Sequence, residues 1–297
     1  MILESKGKIA EQLYAIGNPA LPAFLWTGKT ACLFDAGMTF MGPAYFKDIQ
    51  DFLRDARRLG YLFITHSHFD HCGSAPYLRR KIPGLRIGAS VRAADVWKRP
   101  NAIQMIQNLS KGAEEAFQAL IGGENVLFDG LEVDLALDDG AEIDLGEAAR
   151  VQVLATPGHT RDAVSYYLPG IKALICGEAV ATLNRDGSVR PQFLASDQDY
   201  LSSLEKLRRL DINILIMAHL NILTGDQVPH HLSRSIQATV EFRRRIEKGL
   251  AATNGNQQAV VERISREDYE EKKIILQEKR PYLINLTAQV KTIAEGK

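Results

Sequence analysis

Short apolar runs and amphipathic segments alternate along the first part of the chain. Apolar runs broken by glycine, asparagine and proline predict strands at residues 12–17, 23–28, 31–37, 61–65, 85–90, 126–128, 131–137, 141–145, 150–156, 163–168, 171–176 and 213–219. Apolar positions at a helical period predict helices at residues 46–59, 73–82, 91–98, 102–121 and 199–210, the fourth interrupted near Lys111. This alternation indicates a layered α/β fold, in which ligands gather where strands end.

The pattern changes at about residue 226, where charged, helix-favouring segments begin. We therefore predict an α/β domain over residues 1–225 and a helical extension over residues 226–297 that packs on it. The basic run at residues 243–245 is flanked by Glu241 and Glu247. This flanking favours a solvated helix face over a nucleic-acid site.

Composition narrows the function classes further. Lysine plus arginine equals aspartate plus glutamate, at 36 each, so no overall charge attracts nucleic acid or an anionic membrane. The longest apolar runs are too short to span a bilayer, and the first residues lack the apolar region of a signal peptide. Three cysteines give no paired disulfide framework. These features predict a cytoplasmic protein without a nucleic-acid or membrane partner.

Histidines are concentrated at the end of one predicted strand. His66 and His68 are two residues apart, so in extended backbone their side chains point the same way, and Asp70 and His71 follow at a turn. Imidazole and carboxylate groups bind Zn²⁺, or iron and manganese where oxygen ligands contribute more. The adjacent Cys72 could add a soft ligand, but a side chain facing the core is the simpler interpretation. The cluster predicts a metal site.

Three further candidates stand at the ends of other predicted strands: His159, Glu178 and His219. A carboxylate at the end of a buried strand, such as Glu178, is costly unless a positive group meets it. A bound cation would meet that need. His230 and His231 follow Pro229 at a predicted helix start, and we expect a surface or capping role for them.

These residues together resemble the metallo-β-lactamase superfamily, whose H-x-H-x-D-H motif stands here at residues 66–71. The resemblance extends over residues 8–225 and includes Asp35, His159, Glu178 and His219. It implies an αββα sandwich with a dinuclear metal site at one edge. The helical region after residue 226 resembles the C-terminal helices of the glyoxalase II and thioesterase branch in size and place.

The resemblance also implies a role for each residue of the site. The first metal would be held by His66, His68 and His159, and the second by Asp70, His71 and His219. Glu178 stands where the family usually has an aspartate that bridges both metals, and its extra methylene leaves open whether it bridges two ions or binds one. Asp35 would orient a ligand histidine, as carboxylates next to metal sites commonly do.

This site predicts a metal-dependent hydrolase that uses a metal-bound hydroxide to cleave a small ester, thioester or lactone. Asp70 would position or receive a proton. Two divalent ions are expected, zinc first, with iron or manganese as alternatives. Other interpretations are a phosphodiesterase of the same fold and a metal-binding effector protein with little hydrolase output. A nuclease is disfavoured because no basic module is present. A homodimer is left open, as is whether residues 102–121 and 226–297 cover the site.

Helix 102–121 carries four apolar residues whose role the sequence leaves open: Ile103, Met105, Ile106 and Leu109. They line an acyl pocket if they face the site, or belong to the core. We favour the core.

Overall fold

The computed structural model describes residues 2–3, 7–219 and 221–296 of the chain. The chain divides into two compact units. The sheet unit comprises Met1–Ala155, Asp162–Gly177 and Ile212–Gly225, and the helical unit comprises Thr156–Arg161, Glu178–Asp211 and Asp226–Lys297. The boundary after residue 225 coincides with the predicted one, whereas two inner segments group with the C-terminal region. The predicted two-domain division itself stays a prediction.

The strands of the sheet unit form two seven-stranded sheets. In chain order they are β1 (Ile2–Leu3), β2 (Gly7–Ala10), β3 (Leu13–Asn18), β4 (Leu21–Trp26), β5 (Ala31–Phe34), β6 (Leu59–Phe63), β7 (Arg86–Ser90), β8 (Leu135–Leu137), β9 (Glu142–Gly146), β10 (Ala149–Ala155), β11 (Val164–Leu168) and β12 (Ala173–Ile175), followed after the hairpin described below by β15 (Ile214–Ile216) and β16 (Ile222–Thr224). The first sheet has the order β2-β3-β4-β5-β6-β7-β8, and the second has the order β1-β16-β15-β12-β11-β10-β9.

Strands that pair in parallel have their carboxyl ends at the same edge of a sheet, which is where the predicted ligands follow the strands. Strands β5 to β8 pair in parallel, and so do β12 and β15. Parallel neighbours need crossover connections, which helices usually supply. Here α1 (Gly42–Leu53) follows β5, and α2 (Phe69–Cys72), α3 (Ala75–Lys81), α4 (Val91–Val96), α5 (Pro100–Ala116) and α6 (Gln118–Ile121) follow β6 and β7.

The sheet unit has two apolar cores. One lies between the sheets and includes Phe34 and Phe63 from the first sheet with Tyr166 and Ile216 from the second. The other joins the opposite face of the first sheet to α1, α3 and α5. Burial on both faces explains why β5 and β6 are nearly continuous apolar runs. The predicted α/β class of stacked sheets is confirmed.

The helical unit holds a short hairpin and the C-terminal helices. The hairpin pairs β13 (Thr182–Leu183) with β14 (Val189–Arg190), and α7 (Asp197–Arg208) follows it. After residue 226 come α8 (Gln227–Ala252), α9 (Gln257–Ser265), a π-helix (Arg266–Glu271) and α10 (Lys279–Ala294). The predicted C-terminal helical region is confirmed. In the described part of the chain, no helix is both long and apolar enough to cross a membrane.

Two local predictions need correction. Residues 126–128 form no strand, although Val126 and Phe128 are buried in the core. Helix α5 runs without interruption past Lys111, and the break comes at Phe117 instead. The glycine at position 112 lowers the helix propensity, but α5 also packs on the core through Ile103 and Ile106, and tertiary packing supplies most of a helix's stability.

The four apolar residues of α5 divide between two environments. Ile106 is buried and Ile103 packs against the same core. Met105 and Leu109 are 62% and 40% exposed. The preferred core interpretation therefore holds for two of the four residues only.

Candidate metal centre

The H-x-H-x-D-H segment leaves β6 and turns at once into the short helix α2. The N–H groups of His71 and Cys72 donate to the carbonyl of His68, which begins that helix. Nε2 of His66 lies 3.1 Å from Nδ1 of His68. Two nitrogen ligands of one tetrahedral zinc ion lie about 3.3 Å apart when each bond is about 2.05 Å long. The two rings therefore present a matching pair of donors.

A second group of donors lies beside the first in the sheet unit. The ligand atoms of Asp70, His71 and His219 all lie within 4.8 Å of one another. Oδ2 of Asp70 is 3.6 Å from Nε2 of His219, whose Nδ1 is 3.1 Å from the carbonyl of Ala20. The side chains of Asp70 and His219 are 24% and 29% exposed, so this group reaches solvent through these two side chains, whereas His71 is buried.

A buried carboxylate fixes the orientation of the histidines. Asp35 Oδ2 is 2.9 Å from Nδ1 of His71 and accepts the Thr65 hydroxyl at 2.9 Å, while its Oδ1 accepts the Thr65 N–H at 2.8 Å. The same hydroxyl lies 3.0 Å from Nδ1 of His66. Protons on both Nδ1 atoms leave the lone pairs of Nε2 for a metal. These contacts are the geometry expected if Asp35 orients a ligand histidine, the role that the family resemblance implies.

Another carboxylate holds the loop between the first two histidines. Oδ2 of Asp162 accepts the N–H of Ser67 at 2.7 Å, and the carbonyl of Asp162 accepts the Ser90 hydroxyl at 2.7 Å. Sequence analysis missed Asp162 because it lies far along the chain from the motif. Its proximity to His159 was the only available signal.

The helical unit carries the two remaining predicted ligands. Nε2 of His159 lies 2.7 Å from a carboxylate oxygen of Glu178. Nδ1 of His159 is 2.5 Å from the carbonyl of Gln192, which requires a proton on Nδ1. The close contact of Nε2 with the Glu178 carboxylate then needs a proton or a cation between the two acceptors. His159 is buried, and Glu178 is 15% exposed. Gln192 was missed as well, because a main-chain carbonyl leaves no signal in residue type.

Glycine is required beside each of these two residues. Gly158 has φ of 132°, and an added Cβ would lie 2.4 Å from the Cα of Tyr200. Its carbonyl accepts the N–H groups of residues 194–196. Gly177, directly before Glu178, has φ of 51°, and its Cβ would lie 2.8 Å from the Thr65 hydroxyl oxygen. Positive φ and close packing both exclude larger residues here.

Two neighbouring predictions have different outcomes. Cys72 lies in the core of the sheet unit, and burial raises the pKa of its thiol well above the ordinary value. The surface role expected for His231 is wrong. His231 is buried in α8, its Nε2 lies 2.7 Å from the carbonyl of Ala181, and burial lowers its pKa to about 4. His230 is exposed, as expected.

The donor set fits divalent metal ions. The five predicted ligands of the sheet unit, His66, His68, Asp70, His71 and His219, lie around two short strand-end loops. In the helical unit, His159 and Glu178 form a further donor pair. Imidazole nitrogens with Nδ1 or Nε2 oriented by carbonyl and carboxylate partners are the ordinary ligands of zinc and iron.

Comparison with known proteins places this fold and site in context. A model of the metallo-beta-lactamase superfamily matches residues 18–219. A hydroxyacylglutathione hydrolase of Idiomarina loihiensis is 26% identical over 169 residues, which cover 57% of this chain and 50% of that protein. An atrochrysone carboxyl ACP thioesterase of Aspergillus fumigatus is 24% identical over 226 residues, 75% of this chain and 56% of that protein. The chain thus spans about half the length of these curated relatives.

A solved structure extends the likeness in fold to nearly the whole chain. A metallo-beta-lactamase family protein of Thermus thermophilus superposes with a TM-score of 0.65 at 17% identity, over 97% of this chain and 92% of that one. At this identity the likeness concerns the fold. The family model covers more than half of the chain and includes the histidine motif. The chain therefore belongs to the metallo-β-lactamase superfamily.

Proposed function

We propose that this protein is a metal-dependent hydrolase that cleaves a small ester, thioester or lactone. The observation that carries the proposal is the convergence of Asp70, His71 and His219, with His71 oriented by the buried Asp35. A structural role alone does not require three ligand-type side chains within 4.8 Å at a solvent-open strand end.

The proposed centre takes two divalent cations. His66, His68 and His159 would hold the first ion, and Asp70, His71 and His219 the second. Glu178 would bridge both ions or bind one. Such cations polarise a carbonyl oxygen and lower the pKa of a coordinated water from 15.7 towards about 7. Zinc is the first expectation for these ligands, with iron and manganese as alternatives.

The residues of the chain prepare this chemistry. Asp35 and Thr65 fix the tautomers of His66 and His71, and the carbonyl of Gln192 fixes that of His159. These orientations exist before substrate arrives, so little reorganisation is needed when charge develops. Asp70, at the exposed rim, would position the proton that leaves the attacking water.

The substrate class rests on the relatives and on charge. Two relatives are named as a hydroxyacylglutathione hydrolase and an ACP thioesterase, both of which are hydrolases of acyl thioesters by name. Equal numbers of acidic and basic residues give the chain no net charge that would attract polyanions, which disfavours a nuclease. A cytoplasmic location belongs to the proposal and is supported by three buried cysteines that provide no paired disulfide framework.

A substrate panel tests the proposal. The metal-loaded protein is assayed with an aryl ester, an acyl thioester, a lactone and a phosphodiester, with His71→Ala and the exposed His230→Ala as matched variants. We expect turnover of at least one of the first three substrates, its loss in His71→Ala and its retention in His230→Ala. Turnover of the phosphodiester alone would reassign the reaction. No turnover in a protein that binds metal would favour the effector interpretation.

A further inference from the structure

A cavity lies within the helical unit, and none of the predicted ligands lines it. It has a volume of about 340 Å³ and is lined by the hairpin β13–β14, the middle of α8, the π-helix region and α10. Sites for small ligands have volumes of about 300–1,000 Å³, and this cavity lies at the lower end of that range. Its wall combines the Arg190 guanidinium with apolar side chains that include Phe242 and Ile275, and it also carries the carboxylates of Glu241 and Asp268.

Arg190 is the unusual group in this wall. Its Nε is buried and has no hydrogen-bond partner, and its Nη2 makes only a long contact, 3.4 Å, with the side-chain oxygen of Gln277. Across residues 2–3, 7–219 and 221–296, no carboxylate forms an ion pair with it. Burial lowers the pKa of this guanidinium, but arginine stays protonated in proteins. A buried charge without an anionic partner is costly.

The other cations around the cavity already have carboxylate partners. Arg245 pairs with Asp268 at 2.5 Å and with Glu267 at 2.6 Å, and Lys272 lies 3.4 Å from Asp268. Among the cations that line the described cavity, Arg190 alone lacks an ion pair. One unpaired positive charge suits a singly charged anion better than a phosphate dianion.

Tyr282 adds a second polar group next to Arg190. The guanidinium carbon lies 5.5 Å from the centre of the Tyr282 ring, at the range of a cation–π contact. Burial raises the pKa of the Tyr282 hydroxyl to about 12, so it keeps its proton at neutral pH. A protonated phenol and a guanidinium fork both donate hydrogen bonds, and a carboxylate accepts from both.

We propose that this cavity binds a small monocarboxylate, with the carboxylate at Arg190 and Tyr282 and an apolar body against Phe242 and Ile275. The inference goes beyond the proposed hydrolase function and does not depend on it. The cavity is also linked to a predicted ligand, because the side-chain amide of Gln192 donates to the Arg190 carbonyl at 3.2 Å while the Gln192 carbonyl holds His159. The carboxylate could belong to a substrate or product, or to a separate effector.

Calorimetric titration of the purified, metal-containing protein tests the site directly. The probes are hexanoate and benzoate, their uncharged amides hexanamide and benzamide, and inorganic phosphate. We expect at least one carboxylate to bind at least tenfold more tightly than its amide and than phosphate. This factor follows from about 1.5–3 kcal/mol for hydrogen bonds to a charged group. Three results would each overturn the proposal. They are no carboxylate binding at concentrations up to about 10 mM, equal affinity for a carboxylate and its amide, and tighter binding of phosphate than of the carboxylates.

Variants separate the cavity from the metal site. Arg190→Met should weaken carboxylate binding at least tenfold with unchanged metal content, and Arg190→Lys should lie between it and the parent. The matched control is Arg244→Met, because Arg244 is exposed and lies on α8 outside this cavity; it should bind like the parent. Two results would contradict the assignment. One is carboxylate binding by folded Arg190→Met that is as tight as in the parent; the other is Arg190→Lys that matches the parent both in carboxylate affinity and in its preference for carboxylate over amide.

A final arm identifies the source of the carboxylate. Binding is repeated in the presence of the ester or thioester that the enzyme turns over best. Competition between the two assigns the cavity to a carboxylate of substrate or product, and simultaneous binding assigns it to a separate effector. If no substrate is turned over, the direct titration still decides whether the cavity binds carboxylates.

Discussion

Replacement of Asp35 by asparagine tests how the site is oriented. Asp35 accepts three hydrogen bonds, from the Thr65 N–H, the Thr65 hydroxyl and Nδ1 of His71. Asparagine has nearly the same shape but replaces one accepting oxygen by an NH₂ donor. If the amide oxygen keeps the Thr65 N–H, the NH₂ group faces Nδ1 of His71. That favours the tautomer with the proton on Nε2, which removes the lone pair needed by a metal.

The size of the effect follows from this geometry. Loss of an outer carboxylate that orients a ligand histidine costs 10–100-fold in metal affinity, or about 1.4–2.7 kcal/mol. Folding should lose about 1.5–3 kcal/mol as well, because a hydrogen bond to a buried charged group disappears. Asp35 has φ of 58°, a conformation that asparagine adopts readily, so backbone strain adds little.

The assay is competition for Zn²⁺ with a chromophoric chelator, together with thermal unfolding of the metal-free protein. Asp48→Asn is the matched control, since the Asp48 carboxylate also accepts a backbone N–H, from Gly17 at 2.8 Å, away from the histidines. We expect Asp35→Asn alone to lose metal affinity. Parent-like affinity in a folded Asp35→Asn protein would refute the orienting role, whatever its stability.

Three further predictions concern the helical unit. Gly158→Ala should destabilise the protein by more than about 2 kcal/mol, because φ is 132° and the added Cβ would lie 2.4 Å from the Cα of Tyr200. Chemical denaturation measures this loss, and an unchanged denaturation midpoint would contradict the prediction. His231 has a pKa of about 4 in the folded chain and 6.5 in the unfolded chain, so between these pH values only the unfolded chain takes up the proton. The free energy of unfolding should therefore fall by about 3 kcal/mol as the pH drops from 6.5 to 4, and His231→Gln should remove this His231 contribution. An identical pH dependence of stability in both proteins would refute the prediction. Glu178→Gln should lower metal occupancy and hydrolysis together, measured by elemental analysis and turnover, and unchanged values for both would exclude Glu178 as a ligand.

The sequence predicts much of the fold because burial leaves a simple pattern. Strands β5 and β6 are apolar on both faces, and α1 shows the period of a helix with one buried side, so local pattern and packing agree. The pattern failed at residues 126–128, where apolar residues pack into the core without joining a sheet. Burial and strand formation are separate properties, and an apolar run alone reports only the first.

The candidate ligands could be predicted for a different reason. Metal ligands must be histidine or carboxylate, so residue type itself carries the signal in the segment from His66 to His71. The groups that orient them carry no such mark. Asp162 holds the Ser67 N–H from 95 positions away, and Gln192 acts through a main-chain carbonyl. Only the folded chain brings these partners together. The buried position of His231 was missed for the same reason, because its contact with Ala181 spans 50 positions.

One titration tests the central claim most directly. Metal-free protein is reconstituted with increasing Zn²⁺ while hydrolysis of an acyl thioester or ester from the panel is followed, and bound metal is counted in the same samples. The account predicts that activity rises with added metal and reaches its maximum at two ions per chain. Full activity without metal, or no hydrolysis of any ester, thioester or lactone with both ions bound, would contradict it.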